Sequence, residues 1–341
     1  MNIESGEIYF VREVDPHTKK FTKFVKIGLV HESEERDSLT RLKDHQTGNP
    51  RSLELPTGNY FKVPAVTAVE AMMHKFYAQL RVSGEWFEFE SESAVDKAIV
   101  KAKQLGEEVA SFISVFAAAE KLGNTASNGK TVEPSAKALE LWEKLSLAHA
   151  KLNVLKGLDK KLEARFKDAD AAGVDLGELV TKGSRKDPVK FPWDLLQEKY
   201  PNIYKEFHTS MSSVVGKFSP KYKNAKTLDL GEAFAQLELR LSNVITSTGD
   251  QDLAALNMPK LELVYEISLL DWEETLLKAE LMLECGKNDA LLKVCEWKRA
   301  RLTVDKYDLK NFKKKYPEIH QELSGPVTVK PTLRATKKKR T

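Results

Sequence analysis

Two short runs near the amino terminus constrain this chain more than anything after them. "EIYFVR" (residues 7–12) and "KFVKIGLV" (residues 23–30) are rich in Ile, Val, Phe and Tyr, and the turn-like "VDPHTK" with its Asp15-Pro16 pair separates them. They predict an antiparallel hairpin. A helix from about Ser33 to Gln46 is expected next, loaded with Arg36, Arg41, Lys43 and His45, followed by an extended stretch over "SLELPTGNYFKV". In "AVTAVEAMMHKFYAQL", Val66, Val69, Met73, Phe76 and Leu80 recur every three or four residues, the apolar face of a helix, with Glu70 and His74 four apart beside it. "GEWFEF" then alternates large apolar residues as a final strand would. About 90 residues therefore read as a β-β-α-β-α-β unit.

The rest reads as helix. "ESAVDKAIVKAKQLGEEVASFISVFAAAEKL" is expected to form one long helix, ending in the loop-like "GNTASNGKTVEP", and further helical patterns occupy about 135–170, 228–246 and 260–298. The fold class expected is α+β: a small antiparallel sheet flanked by helices, then a mostly helical region. A chain of 341 residues exceeds what one core usually serves. The expected division is 1–92 for the first domain, 93–130 for the long helix and linker, 131–225 and 226–325 for two helical modules, and 326–341 for a basic tail. The two modules are suggested by an internal echo: "LLQEKYPNIYKEF" (195–207) resembles "NFKKKYPEIHQEL" (311–323), sharing Lys199/Lys315, Tyr200/Tyr316, Pro201/Pro317, Ile203/Ile319 and Glu206/Glu322. The period is longer than that of solenoid repeats.

No apolar run approaches the length of a membrane span, and "MNIESGEIYFVRE" lacks the basic-then-apolar layout of a signal peptide, so a cytosolic location without membrane attachment is expected. Cys285 and Cys295 lack a metal-ligand spacing and read as buried thiols. The net charge of +4 conceals a strong bias: from Trp297 to Thr341 there are 14 Lys and Arg against 4 Asp and Glu. Such a segment is an electrostatic footprint for a polyanion, and equally the composition of a solvated terminus. Its candidates for contacting nucleic acid are Lys298, Arg299, Arg301, Lys313, Lys314, Lys315, Lys337, Lys338, Lys339 and Arg340.

Cleaving a phosphodiester needs a divalent cation on the phosphate, a general base, and cations or donors for the developing charge. The first 90 residues contain candidates for each. Glu70 offers the hard oxygen that Mg²⁺ prefers, while Tyr9, Lys26, Arg41 and His45 offer hydroxyl, ammonium, guanidinium and imidazole. Singly, each has an ordinary explanation as a core aromatic or a solvated helix edge. As an ordered set, "EIYFV", "VKIGLV", "RLKDHQTGNP", "VEAMMHKF" and "GEWFEF" resemble the GIY-YIG nuclease superfamily, in its phage and bacterial branch where "KIG" replaces the second tyrosine motif. The resemblance covers residues 6–90, about a quarter of the chain.

That resemblance implies a metal-dependent endonuclease with DNA as its expected substrate, in a phage-infected or bacterial cytoplasm, within a phage or a bacterial mobile or defence system. It implies that Tyr9 and Lys26 help activate the attacking water, that Arg41 binds the scissile phosphate, and that Glu70 holds one Mg²⁺ or Mn²⁺. His45 and His74 are the second-line candidates for orienting water or protonating the leaving oxygen. Two departures stand out: Glu7 occupies the place of the first motif's glycine, and Lys26 that of the second tyrosine. A noncatalytic nucleic-acid-binding protein that keeps the fold is the alternative, and the long, charge-rich helices also suit homo-oligomerisation.

Overall fold

The computed structural model of the chain describes residues 3–34, 37–47, 51–174, 180–186, 191–324 and 329–335. The predicted hairpin forms: β1 (Gly6–Val14) pairs antiparallel with β2 (Phe21–His31), with Tyr9 opposite Gly28 and Val11 opposite Lys26. The expected helix begins later than its charge pattern suggested. Asp37 caps α1 (Ser38–Gln46) by accepting from the Thr40 N–H at 2.7 Å, which fixes the start at Ser38. The extended stretch divides into β3 (Ser52–Glu54) and β4 (Tyr60–Val63), both pairing with β1 along its other edge. After α2 (Val66–Phe76), the final strand comes as a pair, β5 (Arg81–Ser83) and β6 (Trp86–Glu88), turning at Gly84 with φ 53°. The strand order is β3-β1-β2-β6-β5.

Both faces of this sheet are covered. Because side chains alternate along a strand, Ile8, Phe10, Val25 and Ile27 join one core with Val66, Val69 and Met73 of α2. Tyr9, Val11 and Trp86 join another, packed by Leu42 of α1. The hairpin thus sorts its own residues between a helix-packed core and a polar face.

Ser91 caps α3 (Glu92–Ser111), and α4 (Ile113–Gly123) follows. The single helix expected here breaks at Phe112, where the Ser111 hydroxyl donates back to the Glu108 carbonyl at 2.6 Å, an interaction that bends helices. The loop expected next is anchored: Ser127 N–H donates to Arg299 O, Asn128 N–H to Lys287 O, and β7 (Thr131–Val132) forms within it. α5 (Ala136–Ala171) then runs for 36 residues, about 54 Å at the usual rise.

The region beyond is not all helix. β8 (Val180–Lys186), α6 (Trp193–Lys199), α7 (Pro201–Phe207), β9 (His208–Gly216) and β10 (Ser219–Pro220) precede α8 (Glu232–Ser247) and α9 (Asn257–Cys285). The helical pattern read through residue 298 stops at Cys285, where Gly286 takes φ 57° and ψ −129°, a conformation that only glycine adopts readily. β11 (Ala290–Leu291) and β12 (Cys295–Glu296) complete a four-stranded sheet with β7 and β10. β13 (Arg299–Tyr307), α10 (Leu309–Lys315), α11 (Pro317–Leu323) and β14 (Val329–Ala335) end the described chain. Among the described residues, no helix is long and apolar enough to cross a membrane. The architecture is α+β.

α9 is the spine. Leu261, Tyr265 and Trp272 pack it onto the first 120 residues, Leu263 joins the α5–α8 core, and Leu277 and Leu281 join the core around Trp297. Lys260, 8% exposed, is tied to Asp159 at 2.5 Å and Glu163 at 3.4 Å of α5. Burying a lysine needs such partners, since an unpaired charge there would be costly.

Candidate active site

The polar face of the hairpin carries Tyr9 and Lys26, and α1 lies across it. Two contacts hold α1 in place. Glu7 accepts from the Ser38 N–H at 2.9 Å at the start of the helix, where a carboxylate is favoured. Gln46 accepts from Leu53 N–H at 2.8 Å and donates to Arg51 O at 3.0 Å at its end. The glutamate that departs from the first motif therefore has a positioning task. Arg41 and His45, four apart and so on one helix face, point into the sheet.

Tyr9 is 2% exposed, and its hydroxyl lies 2.9 Å from His45 Nε2. Burial and the repulsion of Lys26 push His45 down to about 4, so its ring is neutral at pH 7, and in the tautomer that carries its proton on Nδ1 it accepts from the Tyr9 hydroxyl. Burial, reinforced by the charges of Glu85 and Glu70, pushes the Tyr9 phenol well above its ordinary value; Arg41 opposes this by charge and by a hydrogen bond. Arg41 is also 3.8 Å from Asp44, while its buried Nε–H has no hydrogen-bond partner among the described residues. A donor left over in a buried site is what an anion would satisfy. Lys26 pairs with Glu85 from the β5–β6 turn.

Glu70 comes from α2, 4% exposed, close enough for its charge to raise both Tyr9 and Tyr265. Tyr9, Lys26, Arg41, His45 and Glu70 are therefore brought together. His74 makes its hydrogen bond and ring contacts elsewhere. It is 0% exposed, its Nε2 lies 3.0 Å from Ile27 O, and its ring packs between Phe87 and Tyr265 at 5.0 and 4.2 Å. Burial and Arg81 push it down to about 3, so the ring is a neutral packing element and the proton-donor expectation for it is withdrawn.

Three participants went unassigned in the sequence. Glu85 directly precedes Trp86, which pairs with Lys26 across the ladder, and that register was the signal available. Arg81 lies over the rings of Phe87 and Tyr265 at 5.2 and 5.0 Å and donates to His74 O at 3.2 Å. Tyr265 arrives from α9, and no local pattern could have placed it. Behind it a cavity of about 390 Å³ opens between α2 and α8–α9, lined in part by Lys75, Arg240 and Glu262.

The cations proposed for the carboxyl-terminal half scatter differently. Lys298, Arg301, Lys313 and Lys314 are exposed, and Lys315 is exposed but paired with Glu206. Arg299 is removed from that surface. It is 3% exposed, donates to Leu122 O and Gly286 O at 2.7 Å each and to Asn288 O at 3.4 Å, and stacks 3.8 Å over Trp297. It closes the carboxyl ends of α4 and α9, where a cation is favoured. Lys337, Lys338, Lys339 and Arg340 lie outside the described residues, as does Arg36.

The arrangement sets a lysine, an arginine, a neutral histidine and a carboxylate around the Tyr9 phenol, and guanidinium and ammonium groups placed so are able to hold an anion such as phosphate. Consistent with that, residues 6–103 match the family model of the T5orf172 domain, a domain found in phage and bacterial nuclease-like proteins. At that level the match indicates a nuclease-like or nucleic-acid-interacting role. No curated protein and no solved structure matched the chain.

Proposed function

We propose that the amino-terminal domain is a metal-dependent endonuclease of GIY-YIG type acting on DNA, and that the remaining chain supplies nucleic-acid affinity. The observation carrying this reading is the hydrogen bond from Tyr9 to a neutral His45, beside Arg41, Lys26 and Glu70. With its own proton directed at His45 Nε2, the Tyr9 oxygen presents its lone pair to an attacking water. As that water bonds to phosphorus, its proton passes to the Tyr9 oxygen and the phenolic proton to His45, while the bond from phosphorus to the leaving oxygen breaks and that oxygen takes up a proton from solvent water. Arg41 and Lys26 hold the nonbridging oxygens as charge develops.

Among the described residues, no three His, Cys, Asp or Glu side chains gather into a metal cage. One buried carboxylate fits instead a cation that keeps most of its shell as water and phosphate, as Mg²⁺ does. Bound through Glu70, Mg²⁺ or Mn²⁺ would supply Lewis-acid polarisation of the phosphate.

The near-complete burial of Tyr9 and Glu70 favours a second reading, in which the fold is retained for recognition without cleavage. Incubation of supercoiled, linear and single-stranded DNA with Mg²⁺, Mn²⁺ or EDTA separates the two. Metal-dependent nicking that disappears in Glu70→Gln is expected for the enzyme. Undiminished nicking by Glu70→Gln removes that residue from the mechanism, and binding without cutting under every condition supports recognition alone.

A further inference from the structure

The two copies of the sequence echo pack on each other. Phe191, Leu196, Tyr204 and Phe207 share one core with Phe312 and Leu323. Their polar contacts are reciprocal: Lys199 and Tyr200 both reach Glu322, at 3.2 and 2.8 Å, while Lys315 and Tyr316 both reach Glu206, the latter at 3.1 Å. These are equivalent positions of the echo. Such exchange, in which i meets j′ and j meets i′, is the mark of a two-fold axis.

The same operation relates the strands. β8 leads into the first repeat and pairs with β14, which leaves the second; β13 leads into the second and pairs with β9, which leaves the first. Each pair is a two-stranded ribbon with no further strand beside it among the described residues. The β9–β13 ladder holds nine residue pairs, about 30 Å at the usual rise, and most of its residues are exposed. The four strands contain eight Lys and Arg and a single acid, Asp305, which is already paired with His208 at 2.9 Å. Apart from the buried Arg299, β13 offers Arg301 and Lys306, and β8 and β14 together carry five basic residues and no acidic one.

We propose that the two ribbons grip duplex nucleic acid, with the axis relating the repeats set along a dyad of the double helix. The proposal rests on the nucleic-acid reading above and is independent of cleavage. A duplex has antiparallel strands and therefore two-fold axes across it, so a backbone of matching symmetry offers each strand a ribbon in the same orientation, the β8–β14 ribbon being the more cationic of the two. A single strand has no such axis. A two-stranded ribbon also fits the major groove, about 12 Å wide, and about 30 Å approaches one helical turn.

The test uses full-length Glu70→Gln protein in EDTA, so that binding is read without cutting. Anisotropy titrations with a 20-base-pair duplex and with its single strands, over a range of salt, compare that protein with two further variants. One adds Lys182→Gln, Arg185→Gln, Lys330→Gln and Arg334→Gln; the other adds Arg301→Gln and Lys306→Gln at exposed positions of β13. Expected are at least tenfold preference for duplex, and salt slopes flattened by up to about 3.6 and about 1.8, from roughly 0.9 per lost phosphate contact. Equal affinity for single strands, unchanged slopes in the two-site variant, or no binding to either form overturns the proposal. The nicking assay stands apart from all three outcomes, so a failure of the ribbons and a failure of the nuclease reading are told apart.

Discussion

Gly28 lies opposite Tyr9 in the β1–β2 ladder, and the tyrosine ring folds across it. A Cβ at that position would stand 2.5 Å from the Tyr9 hydroxyl oxygen, 2.6 Å from Cζ and 2.9 Å from Cε2. Restoring ordinary contact requires the phenol to move by about 0.9 Å, and the ring is enclosed by Val11, Val30, Leu53 and Trp86. Gly28→Ala is therefore expected to destabilise the protein by about 1–3 kcal/mol through overpacking. The same displacement stretches the 2.9 Å bond to His45 beyond hydrogen-bond range. A 1 Å error in the placement of a reacting group costs on the order of 10²-fold in rate. Thermal unfolding and metal-dependent nicking measured side by side on Gly28→Ala check both parts. Pairing it with Tyr9→Leu, which removes the far end of the ring, should recover about 1 kcal/mol without recovering activity. Wild-type stability and wild-type nicking in Gly28→Ala would refute the reasoning, because the contact leaves no room for both.

His74 and His45, held neutral at about 3 and about 4, both take up protons more readily once unfolded, where the ordinary value is 6.5. Their contribution is intact above pH 6.5 and is lost as pH falls through the window down to about 4 and 3; His74 alone accounts for about 5 kcal/mol at most. Urea melts between pH 7 and 4 should record this loss, and a His74→Leu variant should lose less over the same range. Arg299→Met is expected to destabilise by about 3 kcal/mol, since it strands the carbonyls of Leu122, Gly286 and Asn288, and calorimetry would read it as a lowered Tm. Deleting residues 336–341, with its Lys337–Arg340 run, should flatten the salt dependence of DNA binding without altering Tm.

Local periodicity revealed what is locally determined. The hairpin, the apolar face of α2 and the long α5 were legible because each has a buried stripe that recurs at its own period. The set Tyr9, Lys26, Arg41, His45 and Glu70 was legible because short-range register places four of them on one sheet face and one helix. His74 was misjudged because its spacing from Glu70 suggested a shared surface, whereas the Ile27 carbonyl draws it into the core. Arg299 was misjudged because a basic run in sequence says nothing about two helix ends waiting for a cap. The ribbons escaped notice for a related reason. An isolated pair of strands buries neither face, so "HTSMSSVVG" and "RARLTVDKY" show no alternation to detect. Tyr265 and Arg81 depend on contacts across some 180 residues, where composition carries no signal.

The position of α9 also bears on when, during synthesis, the candidate site is completed. Tyr265 and Trp272, which pack α9 against the first domain, leave the ribosome some 160 residues after Lys103. At about 5–20 residues per second, that is a delay of roughly 10–30 s. During that interval the wall behind Glu70 is missing, and the hub between the ribbons cannot close until residue 323 has emerged. A nascent chain therefore carries its polar site in an unfinished state, and the last wall of that site and the hub between the ribbons are added only well after the first domain has been made.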